Sequence, residues 1–309
     1  MNHGDSIHPP PLLLAGATAT GKSEVALLLA EKLGGEIISV DSMQVYRGLD
    51  IGTAKPDAAE RQRVPHHLID VAELTETFDA AKFVRLARVA VAEIHARGHR
   101  PILCGGTGLY FKAFLEGLGE APPADAALRA ALEATSLPEL LDELARRDPI
   151  TFEKIDRQNP RRIIRALEVI RLTGKPFSTQ RATWSSSTPS TINPQPSTIW
   201  GLTREPADLH SRINDRVDHM FRRGLVAEVQ NLLPRGLAEN RTAMQAIGYR
   251  QVVEHLRSER SLPETIELVK IRTRQFAKRQ MTWFKRQLPM HWLACAPHES
   301  LESMAAGIN

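Results

Sequence analysis

Residues Gly16, Ala17, Thr18, Ala19, Thr20, Gly21, Lys22 and Ser23 read GATATGKS, which fits the phosphate-loop pattern G-x-x-x-x-G-K-[ST]. Glycines let the chain turn tightly around an anion. Backbone N–H groups of the loop and of the helix that follows then point at phosphate oxygens. Lys22 adds a point charge, and the Ser23 hydroxyl is the expected ligand for Mg²⁺. The loop alone implies nucleotide binding, ATP included, but does not say which phosphate compound it holds. No apolar run ends in Asp-Glu and no N-K-x-D occurs, so the usual kit for nucleoside triphosphate hydrolysis is incomplete.

The elements around the loop suit it. Pro11 to Ala15, Glu36 to Val40 and Pro101 to Cys104 are short apolar runs that read as strands, and Thr198 to Leu202 reads as a returning one. Helical spacing covers Glu24 to Leu33 and Phe78 to Arg97. Strands alternating with helices predict a parallel sheet in a three-layer α/β fold. Asp41 follows the second strand and Thr107 follows Gly105 and Gly106 after the third. Both therefore lie at the sheet edge where open parallel sheets bind ligands. The bland alternative for each is a helix N-cap, and for Asp41 also an outer ligand of Mg²⁺.

From about Pro122 to Thr173 the pattern is helical, over Leu137 to Arg147, Pro149 to Ile155 and Pro160 to Leu172. Ser185 to Thr198 carries no charge and reads as a linker. The expected organisation is a P-loop NTPase-like core over 11–117, an all-helical insertion over 118–184, the linker 185–198, and a second core part over 199–298.

Composition sets limits. The 309 residues are 42% hydrophobic and 25% charged, ordinary globular usage that excludes wholesale disorder. No apolar run is long enough to span a membrane, and Met1 to Pro10 lacks a signal-peptide pattern. Cys104 and Cys295 suit free thiols in a reducing cytoplasm. His66 and His67 are neighbours with Cys104 distant, so no zinc site is read from them. The net charge of +4 says little. The tract Lys270 to Arg286 says more, with seven basic and no acidic residues in 17, interleaved with Phe276, Trp283 and Phe284. Arg161, Arg162, Arg165 and Arg171 form a second basic group. Such helices suit an RNA backbone and its stacked bases, against the alternatives of a solvated basic face and, for Trp283, core packing.

Six segments extend the argument: DSMQVY from Asp41, DIGTAKP from Asp50 with Pro65-His66-His67-Leu68 downstream, GGTGLY from Gly105, RRIIRA from Arg161, AIGYR from Ala246 and KRQMTW from Lys278. In this order and spacing, from about Leu12 to Trp292, the chain resembles the bacterial tRNA dimethylallyltransferases. Ala17 stands where the family loop commonly carries Pro, and no cysteine-histidine finger follows the core, so the resemblance is to the short bacterial form.

The resemblance implies a Mg²⁺-dependent enzyme that moves a dimethylallyl group from dimethylallyl diphosphate to N6 of adenosine 37, just 3′ of the anticodon, in tRNAs reading codons that begin with U. The phosphate loop would then hold a prenyl diphosphate. Asp41 would be the general base for the weakly nucleophilic N6. The Thr107 hydroxyl would donate to the bridging oxygen of the leaving diphosphate, and Lys22 would stabilise its charge. Arg212 and Arg216, four apart on one helix face, would reach the diphosphate from the far side, unless they pair with Asp208, Asp215 or Asp218. Contacts to the anticodon stem-loop are implied for Asp41, Ser42, Met43, Gln44, Thr107, Arg129, Arg161, Arg162, Ile163, Ile164, Arg165, for Gln245, Ala246, Ile247, Gly248, Tyr249, Arg250, and for Lys278, Arg279, Gln280, Met281, Thr282, Trp283, Phe284 and Lys285. A cytoplasmic monomer is expected.

Three other readings compete. An isopentenyltransferase acting on free AMP or ATP would share the loop, Asp41 and Thr107, but needs no basic helices. A small-molecule P-loop kinase leaves DSMQVY and GGTGLY unexplained. A non-catalytic RNA-binding protein has no use for an intact Lys22, Ser23 and Asp41.

Overall fold

A computed structural model describes residues 9–119, 121–180 and 198–308. The chain divides into two compact units, Met1–Leu115 with Thr191–Asn309, and Glu116–Ser190. The linker read over 185–198 lies outside the described residues, apart from Thr198.

The first unit begins with β1 (Leu12–Gly16), α1 (Lys22–Leu33), β2 (Gly35–Val40), α2 (Ala58–Arg63), β3 (His66–His67), α3 (Ala80–Ala96), β4 (Arg100–Gly105) and α4 (Gly108–Glu116). The second unit follows as α5 (Ala126–Glu133), α6 (Leu137–Arg147), α7 (Pro149–Lys154), α8 (Pro160–Thr173) and α9 (Phe177–Gln180). The first unit resumes with β5 (Ile199–Arg204), α10 (Pro206–Arg222), α11 (Leu225–Leu232), α12 (Tyr249–Leu256), α13 (Leu262–Gln287), β6 (His291–Cys295) and α14 (Leu301–Ala306).

The six strands form one parallel sheet in the order β3-β2-β4-β1-β5-β6. The predicted strands occupy its middle. β1 and β2 are buried along their whole length, as strands covered on both faces must be. Register is set in the centre, where Leu14 faces Cys104 on one side and Trp200 on the other. On one face, Val25, Ala26, Leu29 and Ala30 of α1 pack on Leu12, Leu14, Ile37 and Ile102, and Met304, Ala305 and Ile308 close the same cluster. Those last residues come from a C-terminal tail with no readable pattern, and the core runs past residue 298 to include them. The edge strands β3 and β6 are also additions to the expected set.

Local chemistry explains the ends of the elements. Asp79 caps α3 and the Ser261–Glu264 capping box opens α13, each satisfying helix N–H groups that lack an internal partner. α1 stops where Gly34 turns into the left-handed region at φ 60°.

The second unit has its own core of Leu132, Leu140, Leu144, Ile163, Ala166, Leu167 and Ile170. Within it the buried carboxylate of Glu168 accepts from Arg129 at 2.6 Å, Arg165 at 2.8 Å and the Asp125 N–H at 3.0 Å. Burial pushes its pKa up, and these donors more than reverse the push, so it titrates below the usual carboxylate range. Among the described residues no helix is long and apolar enough to cross a membrane.

Candidate active site at the carboxyl edge of the sheet

Three strand ends build the site. β1 runs into the phosphate loop, β2 into Asp41, and β4 into Gly105-Gly106-Thr107. Because β2, β4 and β1 are neighbours in that order, motifs dozens of residues apart in sequence meet at one edge.

The loop is held from three sides. Gly21 stands at φ 99° and Ala19 at φ 64°, so two left-handed residues curl the backbone into a concavity of the kind that collects N–H groups around an anion. The Thr20 hydroxyl donates to Ala17 O at 3.0 Å and is fully buried, which assigns it to the loop's own turn. Arg212 Nε donates to Ala19 O at 2.9 Å and Arg204 Nε to Thr20 O at 2.8 Å. Gln280 Oε1 accepts from the Thr18 N–H at 2.9 Å. Lys22 Nζ reaches back to Ala17 O at 3.2 Å.

Arg216 behaves differently from Arg212. Among the described residues no ion pair joins it to Asp208, Asp215 or Asp218; Asp208 is engaged by Arg204 and Asp218 by Lys270. Burial pulls the Arg216 pKa below the guanidinium range, and nearby Glu24 and Asp41 pull the other way. Burial likewise lowers the Lys22 pKa, with Arg216 adding to the effect and Cys104 and Asp41 opposing it. Two half-buried cations and the Asp41 carboxylate therefore share one electrostatic neighbourhood, and a polyanion would relieve the cations. The Cys104 thiol beneath Lys22 is pushed up to about 12 by burial, which disfavours its reactive thiolate form.

Asp41 Oδ1 accepts the N–H groups of Met43 at 2.8 Å and Gln44 at 3.2 Å. These two bonds fix the carboxylate on its turn and engage one oxygen only. Thr107 is fixed as well. Its N–H donates to Val40 O at 3.1 Å, and its Oγ1 accepts the Ser42 N–H at 3.1 Å. The Thr107 carbonyl starts α4 through Tyr110 and Phe111. Its hydroxyl is used as an acceptor from Ser42, which leaves the hydroxyl proton available to a ligand.

The other candidates separate by burial. Ser42 and Met43 are half-buried beside Asp41. The Gln44 carboxamide is committed inward, accepting from Ser39 at 2.8 Å and donating to Thr53 O and Ala54 O. That ties DSMQVY to DIGTAKP, which Lys55 closes from beneath through Tyr46 O, Asp50 and Asp70. Ala246 and Tyr249 are buried. The Tyr249 hydroxyl donates to Glu228 and accepts the Gly52 N–H at 3.2 Å, so it clamps the DIGTAKP loop instead of presenting a surface. Gln245 and Arg250 are exposed and Ile247 is half-buried. In the second unit Ile163 and Ile164 are core residues, Arg129 and Arg165 are engaged by Glu168, and Arg161 and Arg162 are exposed.

On α13, Lys270 and Arg274 are bonded to Asp218 and Asn214 of α10. Ala277, Gln280 and Phe284 are buried, while Lys278, Arg279, Thr282 and Lys285 are exposed, with Met281 half-buried. Gln275, Lys278, Arg279, Thr282, Trp283, Arg286 and Gln287 line an open groove of about 510 Å³. The half-buried Trp283 ring lies against Gly108, where an added Cβ would meet it at 2.1 Å.

Sequence reasoning misses Arg204, Glu228 and the bridging role of Gln280. Arg204 carried a signal, a cation ending an apolar strand. The other two did not.

Among the described residues no group of three His, Cys, Asp or Glu side chains converges as a metal cage. The exposed Ser23 hydroxyl, opening α1, is a hard oxygen donor at the loop. Such a donor set fits Mg²⁺, which keeps several waters and draws its other ligands from substrate phosphates.

Comparison with known proteins agrees with this geometry. The profile described as IPP transferase matches residues 44–287. A tRNA dimethylallyltransferase 1 of Trichlorobacter lovleyi is 48% identical over 290 residues, covering 93% of this chain and 94% of that one. A tRNA dimethylallyltransferase of Pelotomaculum thermopropionicum is 44% identical over 303 residues, covering 97% and 95%. The crystal structure of a tRNA isopentenylpyrophosphate transferase from Bacillus halodurans matches with a TM-score of 0.70 at 39% identity, covering 97% and 94%. A eukaryotic dimethylallyltransferase acting on tRNA matches with a TM-score of 0.82 at 28% identity, covering 96% of this chain and 77% of that one. The phosphate loop, the strand-end carboxylate and the full-length likeness converge, and the chain belongs to the IPP transferase family of tRNA dimethylallyltransferases.

Proposed function

We propose that this chain transfers a dimethylallyl group from dimethylallyl diphosphate to the exocyclic N6 of adenosine 37 in tRNA. The observation that carries the reading is the shared neighbourhood of Asp41 with two half-buried cations, Lys22 and Arg216. A proton acceptor beside an anion cradle suits displacement of a diphosphate by an amine.

In the step, the N6 lone pair forms a bond to C1 of the dimethylallyl group as the C1–O bond breaks. Diphosphate leaves with that electron pair. The N6 proton passes to the Asp41 carboxylate, through the oxygen that Met43 and Gln44 leave open. Lys22, Arg216 and the loop amides offset the charge that grows on the leaving group. The Thr107 hydroxyl donates to the same group. Mg²⁺ held at Ser23, when bound, would neutralise diphosphate charge. The exposed cations Lys278, Arg279 and Lys285 support tRNA as the acceptor, since a mononucleotide needs no such surface.

The test is transfer of labelled dimethylallyl from its diphosphate to unmodified tRNA reading codons that begin with U, with AMP and ATP as parallel acceptors. Label on tRNA alone is expected. Label on AMP or ATP would move the activity to free nucleotides, and ATP consumption without label transfer would return the chain to the P-loop kinases.

A further inference from the structure

Gln280 lies on the buried side of α13 and is 8% exposed. Its carboxamide is used at both ends. Oε1 accepts the Thr18 N–H of the phosphate loop at 2.9 Å, and Nε2 donates to Gly106 O at 2.9 Å. The first partner is 262 residues away and the second 174. The fit is close, because a Cβ on Gly106 would meet Nε2 at 2.4 Å. Gly106 is followed by Thr107, whose hydroxyl accepts the N–H of Ser42, the residue after Asp41. One side chain therefore spans the loop that cradles the diphosphate and the loop that carries Thr107.

The helix beneath it is a single rod of 26 residues. Its next turns expose Lys278, Arg279, Thr282 and Lys285, so the RNA-facing side and the loop-bridging side of α13 move together. Trp283, three residues on from Gln280, rests on Gly108 at the start of α4, a second anchor to the Thr107 loop. A small shift of the rod would break bonds to both loops at once, since hydrogen bonds weaken steeply with displacement.

We infer that Gln280 is a positioning residue that couples nucleic-acid occupancy of α13 to the shape of the diphosphate site, so that each ligand favours the seating the other needs. The inference rests on the proposed tRNA reading. Coupling of this kind is reciprocal, and typical values change affinity between about 5-fold and 150-fold.

The experiment measures binding of inorganic diphosphate in magnesium buffer with and without unmodified tRNA, and binding of tRNA alone. It uses the full chain as wild type, Gln280→Met and Gln280→Glu. Met keeps the length and removes both bonds. Glu keeps the acceptor for Thr18 and sets a carboxylate against Gly106 O, and it decides the matter should the Met variant not fold. The wild type should bind diphosphate at least about 5-fold more tightly with tRNA present. Both variants should lose most of that gain while binding tRNA alone as the wild type does. A merely structural glutamine would lower thermal stability and leave the gain intact, and that result would overturn the inference while the tRNA reading stands. A wild type that binds tRNA without any gain in diphosphate affinity would overturn it equally. A wild type that binds no tRNA would overturn the tRNA reading first and this inference with it.

Discussion

Arg212 and Arg216 stand one helical turn apart on α10, yet only Arg212 is hydrogen-bonded to the phosphate loop, through Nε to Ala19 O at 2.9 Å. Arg216 is influenced electrostatically by the nearby Glu24 and Asp41. Adjacent turns of one helix thus differ: Arg212 holds the loop, while Arg216 carries the charge proposed above to meet the diphosphate.

Arg216→Ala should accordingly raise KM for dimethylallyl diphosphate by roughly 10-fold or more, the loss of a charge-assisted contact worth about 1.5–3 kcal/mol, with little change in melting temperature. Arg212→Ala should lower the melting temperature as well, because it frees a loop carbonyl. Steady-state kinetics and thermal denaturation of the two variants, run side by side, check the division. Equal behaviour would reject it.

Asp41→Asn should reduce kcat by about 10²–10⁴-fold, the usual share of a general base, and leave tRNA affinity near wild type. Single-turnover transfer with saturating prenyl diphosphate, alongside filter binding of tRNA, separates the two. Unchanged turnover with lost tRNA binding would make Asp41 an RNA contact only.

At the opposite edge of the sheet, Glu36 accepts from Arg97, His67 and His99 at 2.6–2.9 Å. Burial raises its pKa, and those three partners bring it down to about 2. A folded pKa below the unfolded one stabilises the protein above about pH 4.5 and loses that contribution as pH falls toward 2. Glu36→Gln should cost about 1–3 kcal/mol at neutral pH and flatten the acid side of the stability profile. Urea midpoints from pH 7 to pH 3 for both proteins give the comparison. Parallel curves would show that Glu36 adds no pH dependence.

In the helical unit, Arg129→Ala should destabilise by up to about 3–5 kcal/mol, because Glu168 would remain buried with one donor fewer. Adding Glu168→Gln should recover part of the loss, since it removes the charge that lacks a partner. Thermal melts of the single and double variants test this, and a purely additive result would show that the pair is not coupled.

The sequence by itself determined the pieces that are contiguous. GATATGKS after an apolar run, Asp41 after another and GGTG after a third are each complete within a few residues, and short apolar runs and the 3.6-residue period assign their strands and helices. The family resemblance also rests on such unbroken segments. Tertiary structure decided which ends meet. Strand order set Asp41 and Thr107 beside the phosphate loop. The two-residue strand β3 and the mixed strand β6 exist only because a neighbouring edge pairs with them. Burial then sorted the motif residues. Tyr249 and Gln280 stand among residues implied as RNA contacts, yet the fold turns Tyr249 to Glu228 and Gln280 to two loops. No local spacing encodes a partner 174 or 262 positions away. That information appears only when packing decides which face of each helix loses its water.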